Sequence, residues 1–149
     1  MNSESKAQTE VDLAKKRRLL SLLNRKKALR GRKDLHYFNR HVLEYGDLTS
    51  PEHFHGELCS FVEDPVKTRI LVLEPRGSLK TSCITIGYSL QSMVNNPNIR
   101  ILICSEEFNT AKKFLSEVTG HIETNATFRS LDCNLKGKDK WSENEIIIS

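Results

Sequence analysis

The chain has 149 residues, of which 28% are charged and 38% are hydrophobic, and its formal net charge is +4. This length is enough for one domain with a core but short for a complete molecular motor. No apolar run reaches membrane-spanning length and the N-terminus lacks a signal-peptide layout, so we expect a cytoplasmic protein. The four cysteines form no Cys-x-x-Cys pair, and we expect them to be reduced, with Cys83 and Cys104 buried.

The first 33 residues form a basic arm. Residues 1–12 are polar and are expected to be disordered, whereas residues 13–33 contain ten lysines and arginines and no acid. Leucines recur at near-helical spacing from Val11 to about Arg30, which predicts an amphipathic basic helix. Such an arm is expected either to contact DNA or an acidic partner, or to be a solvated helix that packs on its own domain. The candidate contact residues are Lys15, Lys16, Arg17, Arg18, Arg25, Lys26, Lys27 and Arg30.

Two shorter helices are predicted in the lead-in, residues 34–64. Asp34 is a good N-cap for a helix to about residue 45, and Ser50-Pro51 opens another helix to about residue 62. His55 and Cys59 are four residues apart on one face of the second helix, a spacing that a zinc site could use. Further ligands are not evident in the sequence, which favours a structural histidine and cysteine.

The remaining residues, 66–149, alternate between apolar runs and helical patterns. Strands are predicted over residues 68–74, 99–105 and 145–148, helices over 83–95 and 109–123, and a loop with some helix over 127–140. Because the first two apolar runs are nearly continuous Ile, Leu and Val, we expect them to be buried on both faces. The sequence therefore predicts an α/β fold, with a parallel sheet flanked by helices and right-handed crossovers.

Between the first predicted strand and its helix lies the candidate phosphate-binding sequence Pro75-Arg76-Gly77-Ser78-Leu79-Lys80-Thr81-Ser82. A P-loop has the same layout, which consists of a strand, a tight loop, a Lys-Thr pair and a helix. The backbone N–H groups of a P-loop cradle phosphate. Lys80 is expected to reach the β- and γ-phosphates, and the Thr81 hydroxyl to bind Mg²⁺. Arg76 is expected to contact the γ-phosphate or, alternatively, to pair with Glu74 at the surface.

The loop departs from the pattern G-x-x-x-x-G-K-[ST] at two positions. Glu74 and Leu79 stand where the pattern has glycine, while Gly77 remains as a residue with a freely bending backbone. The alternative interpretation is a basic turn that leads into an ordinary helix N-terminus.

From Asp34 onward the chain resembles the N-terminal ATPase region of a bacteriophage terminase large subunit, the motor that packages viral DNA. Residues 75–81 fit the form P-R-G-x-L-K-[ST] found in part of that family. The lead-in helices, residues 101–111 and Lys140-Trp141-Ser142 are weaker similarities. The resemblance implies ATP and Mg²⁺ as cofactors, Lys80 and Arg76 as catalytic residues, and His55 as a candidate adenine contact. It also implies double-stranded DNA, a portal and a small terminase subunit as partners, and a homo-oligomer in the complete protein.

Hydrolysis also needs carboxylates that hold Mg²⁺ and orient the attacking water. In terminases these follow the Lys-Trp element, and this chain has no apolar strand that ends in Asp-Asp or Asp-Glu. We therefore expect residues 34–149 to be a partial P-loop ATPase domain that binds nucleotide without turning it over. The alternatives are a non-hydrolysing DNA- or protein-binding module with a degenerate loop, or another P-loop ATPase of helicase type.

Overall fold

The computed structural model describes residues 3–46, 52–131, 135, 137–142 and 145–148. The elements in these ranges are α1 (Ser3–Gly31), α2 (Leu35–His41), α3 (Glu52–Glu63), a π-helix (Thr81–Tyr88), α4 (Ser89–Asn95), α5 (Phe108–Thr124), α6 (Ala126–Arg129), β1 (Gly137–Trp141) and β2 (Ile146–Ile148). None of these helices combines the length and the apolar character needed to cross a membrane.

The prediction of a parallel α/β sheet is wrong. Residues 68–74 and 99–105 contain no strand, and the sheet found within the described ranges is the short antiparallel pair β1–β2. A strand needs a neighbouring strand to take up its backbone hydrogen bonds, and neither apolar segment has a described strand beside it. Instead of being buried, Leu71, Leu73 and Leu102 are 77%, 81% and 86% exposed.

The hydrophobic core is built by helices. Phe38 of α2 meets Phe128 of α6 edge to face, with ring centroids 6.2 Å apart. The same buried cluster contains Ala28, Val42, Leu43, Ile86, Leu90, Val94, Val118, Ile122, Leu131 and Leu135. The apolar faces of these helices pack against one another. They therefore do not cover the apolar segments 68–74 and 99–105.

The first helix is longer and less regular in its pattern than predicted. α1 begins at Ser3, so residues 3–10 are helical rather than disordered. At about 100° per residue, Leu13 and Leu22 lie on opposite sides of the helix, and both are exposed. The apolar side chains are therefore not gathered on one face. Contact with the body occurs at the C-terminal end, where Gly31 is buried against Phe38 and Val42.

Local capping signals agree with the structure at α2. The Asp34 side chain accepts a hydrogen bond from Tyr37 N at 2.8 Å, which confirms the predicted N-cap. The helix ends at His41, four residues earlier than expected, and Glu44 then adopts a left-handed φ of 65°. Ser50 and Pro51 lie outside the described residues, and α3 begins at Glu52.

Glu63, the last residue of α3, and Gln91 of α4 together join four helices. Both of its carboxylate oxygens accept from Leu35 N at 2.9 Å, at the start of α2. Gln91 Nε2 of α4 donates to Glu63 Oε1 at 2.8 Å and to the Gly31 carbonyl of α1 at 2.9 Å. These bonds position α3 beside the π-helix and α4, which continue the chain after the candidate loop.

Candidate functional site

Residues 75–80 form a tight loop between residues 68–74, which have no regular secondary structure, and the π-helix. Ser78 N lies 3.4 Å from Pro75 O, which closes the turn. Gly77 and Leu79 have φ angles of 85° and 56°, in the left-handed region that side chains with a Cβ disfavour. Lys80 then returns to right-handed geometry, with φ −55° and ψ −37°. A left-handed residue followed by a right-handed one, as at Leu79 and Lys80, turns successive N–H groups toward one side, the arrangement of an anion-binding nest.

The Lys80 side chain reaches back across the loop. Its Nζ donates to the Glu74 carbonyl oxygen at 2.7 Å, and the residue is half-buried. This bond joins the two ends of the loop six residues apart. An ammonium group has three N–H donors, so the same lysine retains capacity for phosphate oxygens.

Thr81 and Ser82 begin the π-helix directly after Lys80, and both are half-buried. Lys80 makes no side-chain capping bond to the first turn, and a helix N-terminus is a favourable place for an anion. The described part of the chain contains no group of three or more His, Cys, Asp or Glu that could hold a metal. Mg²⁺ at Thr81 would therefore take its other ligands from phosphate oxygens and water, a ligand set that Mg²⁺ commonly has.

His55 of α3 contacts the main chain of the loop. The side chain is 6% exposed, and its Nε2 lies 3.0 Å from the Ser78 carbonyl oxygen. A carbonyl only accepts, so Nε2 carries the proton. His55 Nδ1 and Ser78 Oγ are buried and have no hydrogen-bond partner. The structure thus brings His55 to the loop, and its contact with adenine stays a prediction.

Arg76 is exposed at the tip of the loop, next to Gly77. The described residues show no ion pair between Arg76 and Glu74, the surface alternative considered for it. The guanidinium is therefore available to a ligand at the loop tip, and its catalytic role stays a prediction.

Burial disfavours the thiolate form of Cys59 and Cys83, the cysteines near the loop. Cys59 Sγ accepts a hydrogen bond from Asn39 Nδ2 at 3.7 Å, and burial raises the pKa of Cys59 to about 12 and that of Cys83 to about 11. Protonated thiols are poor metal ligands and nucleophiles, so a structural role for Cys59 is favoured over zinc binding. Cys83 is buried as predicted, but Cys104 is exposed, because its segment is uncovered. Cys133 lies outside the described residues.

The candidate DNA-binding residues lie along α1. Lys15, Lys16, Arg17, Arg18, Arg25, Lys26 and Arg30 are exposed and Lys27 is half-buried. At the junction with α2 the Arg30 guanidinium lies 4.3 Å from the Tyr37 ring centre, and the Tyr37 and His41 rings are 4.3 Å apart. Burial lowers the pKa of His41, and nearby positive charges, including those of Lys27 and Arg30, lower it further. This junction is rich in cations and suits an anionic partner.

Two contacts of the site were missed by sequence reasoning. The acceptors for Lys80 and His55 are main-chain carbonyls, of Glu74 and Ser78, which a side-chain pattern does not reveal. The burial of Asn39 could have been found, because it lies four residues after Leu35 and adjacent to Phe38 on the buried face of α2.

No protein-family model, no curated protein and no solved structure matches the chain. The resemblance to terminases therefore rests on the motif residues alone.

Proposed function

We propose that residues 75–82 bind the phosphates of ATP together with Mg²⁺, in the nucleotide-binding part of a terminase-type DNA-packaging ATPase. In that assignment the complete protein works in the host cytoplasm and hydrolyses ATP to move double-stranded DNA into a procapsid. A portal and a small terminase subunit would be its protein partners. The proposal is limited to the loop and its helix, because the described residues form no parallel sheet.

The φ of 56° at Leu79 is the observation that carries this proposal. Leu79 stands where the P-loop pattern has glycine, and it adopts the conformation for which glycine is ordinarily used. A left-handed φ at a residue with a Cβ costs about 1–2 kcal/mol. An ordinary turn before a helix has no need of this conformation, whereas a phosphate cradle uses it to align its N–H groups.

The named side chains then have distinct roles. Lys80, now bonded to the Glu74 carbonyl, supplies positive charge for the β- and γ-phosphates. Thr81 supplies one hydroxyl ligand to Mg²⁺, and Arg76 at the exposed tip meets the γ-phosphate. Bound Mg²⁺ would neutralise charge that develops on the phosphates.

The test is nucleotide binding by residues 1–149, measured by titration calorimetry with ATP and Mg²⁺. Lys80→Ala should weaken binding at least about tenfold, the equivalent of about 1.4 kcal/mol. Lys113→Ala is the matched control, because Lys113 is an exposed lysine of α5 away from the loop. Equal affinity of the parent and Lys80→Ala would contradict the proposal. Phosphate release is measured in parallel, and we expect no turnover from this chain.

The second candidate is a non-hydrolysing module that binds DNA through α1, and the exposed cations along that helix favour it. Its test is fluorescence anisotropy with duplex DNA of random sequence at several salt concentrations. Replacing Lys15, Lys16, Arg17 and Arg18 by Gln should make the negative slope of log affinity against log salt shallower, by about 0.9 for each phosphate contact removed. DNA binding with this behaviour, in a chain that shows no ATP binding, would favour the module.

A further inference from the structure

The contact between His55 and Ser78 fixes one peptide plane of the loop. In a trans peptide the carbonyl oxygen of one residue and the N–H of the next point in opposite directions. His55 Nε2 holds the Ser78 oxygen toward α3 at 3.0 Å. The Leu79 N–H must therefore point away from α3, toward the opposite side of the loop.

The same peptide plane controls the unusual conformation of Leu79. Rotating the Ser78–Leu79 peptide by half a turn would exchange the directions of its carbonyl and N–H groups. That rotation would also change the φ of Leu79, which is 56° in the structure. The hydrogen bond from His55 opposes the rotation, because the Ser78 oxygen would leave its donor. His55 thus stabilises a backbone conformation that leucine adopts reluctantly.

His55 is suited to this task by its surroundings. Its ring meets Phe54 edge to face at 5.1 Å, and α3 is anchored at its far end by the bonds of Glu63. The imidazole is nevertheless not fully satisfied, since Nδ1 is buried without a hydrogen-bond partner. Buried polar atoms without partners are uncommon in folded proteins, so a purely space-filling role does not account for a histidine here.

We propose that His55 is a positioning residue, which donates to the Ser78 carbonyl and thereby directs the Leu79 N–H to the phosphate-binding side of the loop. It acts on the ligand through the main chain and does not touch phosphate itself. This role rests on the proposed function, because phosphate is the ligand that the N–H would meet.

Three variants separate this role from simple packing. His55→Phe keeps an aromatic ring but removes the donor, and ATP affinity should fall about tenfold, the size expected when one orienting hydrogen bond is lost. His55→Gln keeps an N–H donor at similar reach and should retain affinity within about threefold. In the Leu79→Gly variant, glycine adopts a left-handed φ without needing the hydrogen bond from His55. The double variant His55→Phe and Leu79→Gly should therefore bind ATP about as well as Leu79→Gly alone.

A second measurement does not depend on nucleotide. In the free protein, NMR of the His55 ring nitrogens should show the Nε2–H tautomer. The coupling constant between the Leu79 N–H and its Hα, read with local nuclear Overhauser contacts, should report a positive φ. Both the parent and His55→Gln should show this conformation, and His55→Phe should lose it while its thermal unfolding stays cooperative.

The outcomes are decisive in either case. Weaker ATP binding by His55→Phe, with recovery by Leu79→Gly, supports the positioning role. Unchanged affinity in His55→Phe, or a positive φ at Leu79 without the His55 donor, overturns it. If the parent binds no ATP, the proposed function fails, and the NMR comparison still decides whether His55 fixes the loop.

Discussion

The side-chain amide of Asn39 lies directly against Gly87, and its Nδ2 donates to the carbonyl oxygen of Cys83 at 3.1 Å. In an ordinary α-helix that carbonyl would accept from Gly87 N. The chain instead has π-helical bonding over Thr81–Tyr88, and a side chain inserted into a helical ladder is a known cause of such irregularity. Asn39 therefore links α2 to the π-helix that follows the candidate loop.

Gly87→Ala should destabilise the protein by about 3 kcal/mol, the upper range for overpacking a closed site. A Cβ at this position would overlap the Asn39 amide, which is fully buried and cannot withdraw into solvent. Gly120→Ala is the matched control, because Gly120 lies within α5 with no atom within 4 Å of its added Cβ. The control should gain about 0.5–1 kcal/mol from its better helix propensity. Urea unfolding of both variants measures the difference, and similar stabilities would contradict the packing account.

The features that sequence reasoning predicted correctly are local ones. The Asp34 cap and the span of α5 depend on neighbouring residues, and both are seen in the structure. The strand predicted over 145–148 is also present, as β2, whereas the strands predicted over 68–74 and 99–105 are wrong. A strand depends on partners distant in sequence, and Leu71 and Leu102 lie in segments with no described strand beside them. The loop lies between these cases. The motif predicted a tight turn around Gly77, whereas the left-handed φ of Leu79 was not predicted and the contact of Ser78 with His55 depends on how α3 packs.

Glu63→Ala should destabilise the protein by about 2 kcal/mol. Hydrogen bonds to a charged group contribute about 1.5–3 kcal/mol, and this carboxylate accepts from Leu35 N and Gln91 Nε2. Glu57→Ala, at an exposed position of the same helix, should change stability by less than about 0.5 kcal/mol. Thermal and urea unfolding provide the comparison. If both substitutions cost the same, Glu63 does not join the helices as described.

His121 should make stability depend on pH. Its Nε2–H donates to the Tyr45 hydroxyl at 2.9 Å, that hydroxyl donates to Glu117 Oε1 at 2.8 Å, and Asn125 Nδ2 donates to His121 Nδ1 at 3.1 Å. Burial lowers the pKa of His121 from 6.5, although Glu117 and Glu44 act in the opposite direction. A protonated ring could not accept from Asn125, so the folded state favours the neutral form.

The sign of the pH effect follows from this lowered pKa. The stability contributed by neutral His121 is fully present above pH 6.5 and is lost as the pH falls from 6.5 through the folded-state pKa, because the unfolded chain takes up the proton first. The free energy of unfolding should therefore fall more steeply with acidification in the parent than in His121→Gln. Comparing the two proteins cancels the contribution of the other histidines, His41 included. Parallel curves between pH 7.5 and 5 would rule out this role for His121.

Substitutions at Leu79 test whether the loop already has the backbone of a phosphate cradle. Leu79→Gly should change ATP affinity by less than about threefold, because glycine adopts the observed φ of 56° at no steric cost. Leu79→Val should weaken ATP binding about tenfold or more, because a β-branched residue is a marked outlier at positive φ and would drive the peptide out of this conformation. Calorimetric titration of both variants with ATP and Mg²⁺ provides the comparison. Binding by Leu79→Gly in the absence of binding by the parent would instead mean that the leucine blocks the cradle, and it would favour the non-hydrolysing module.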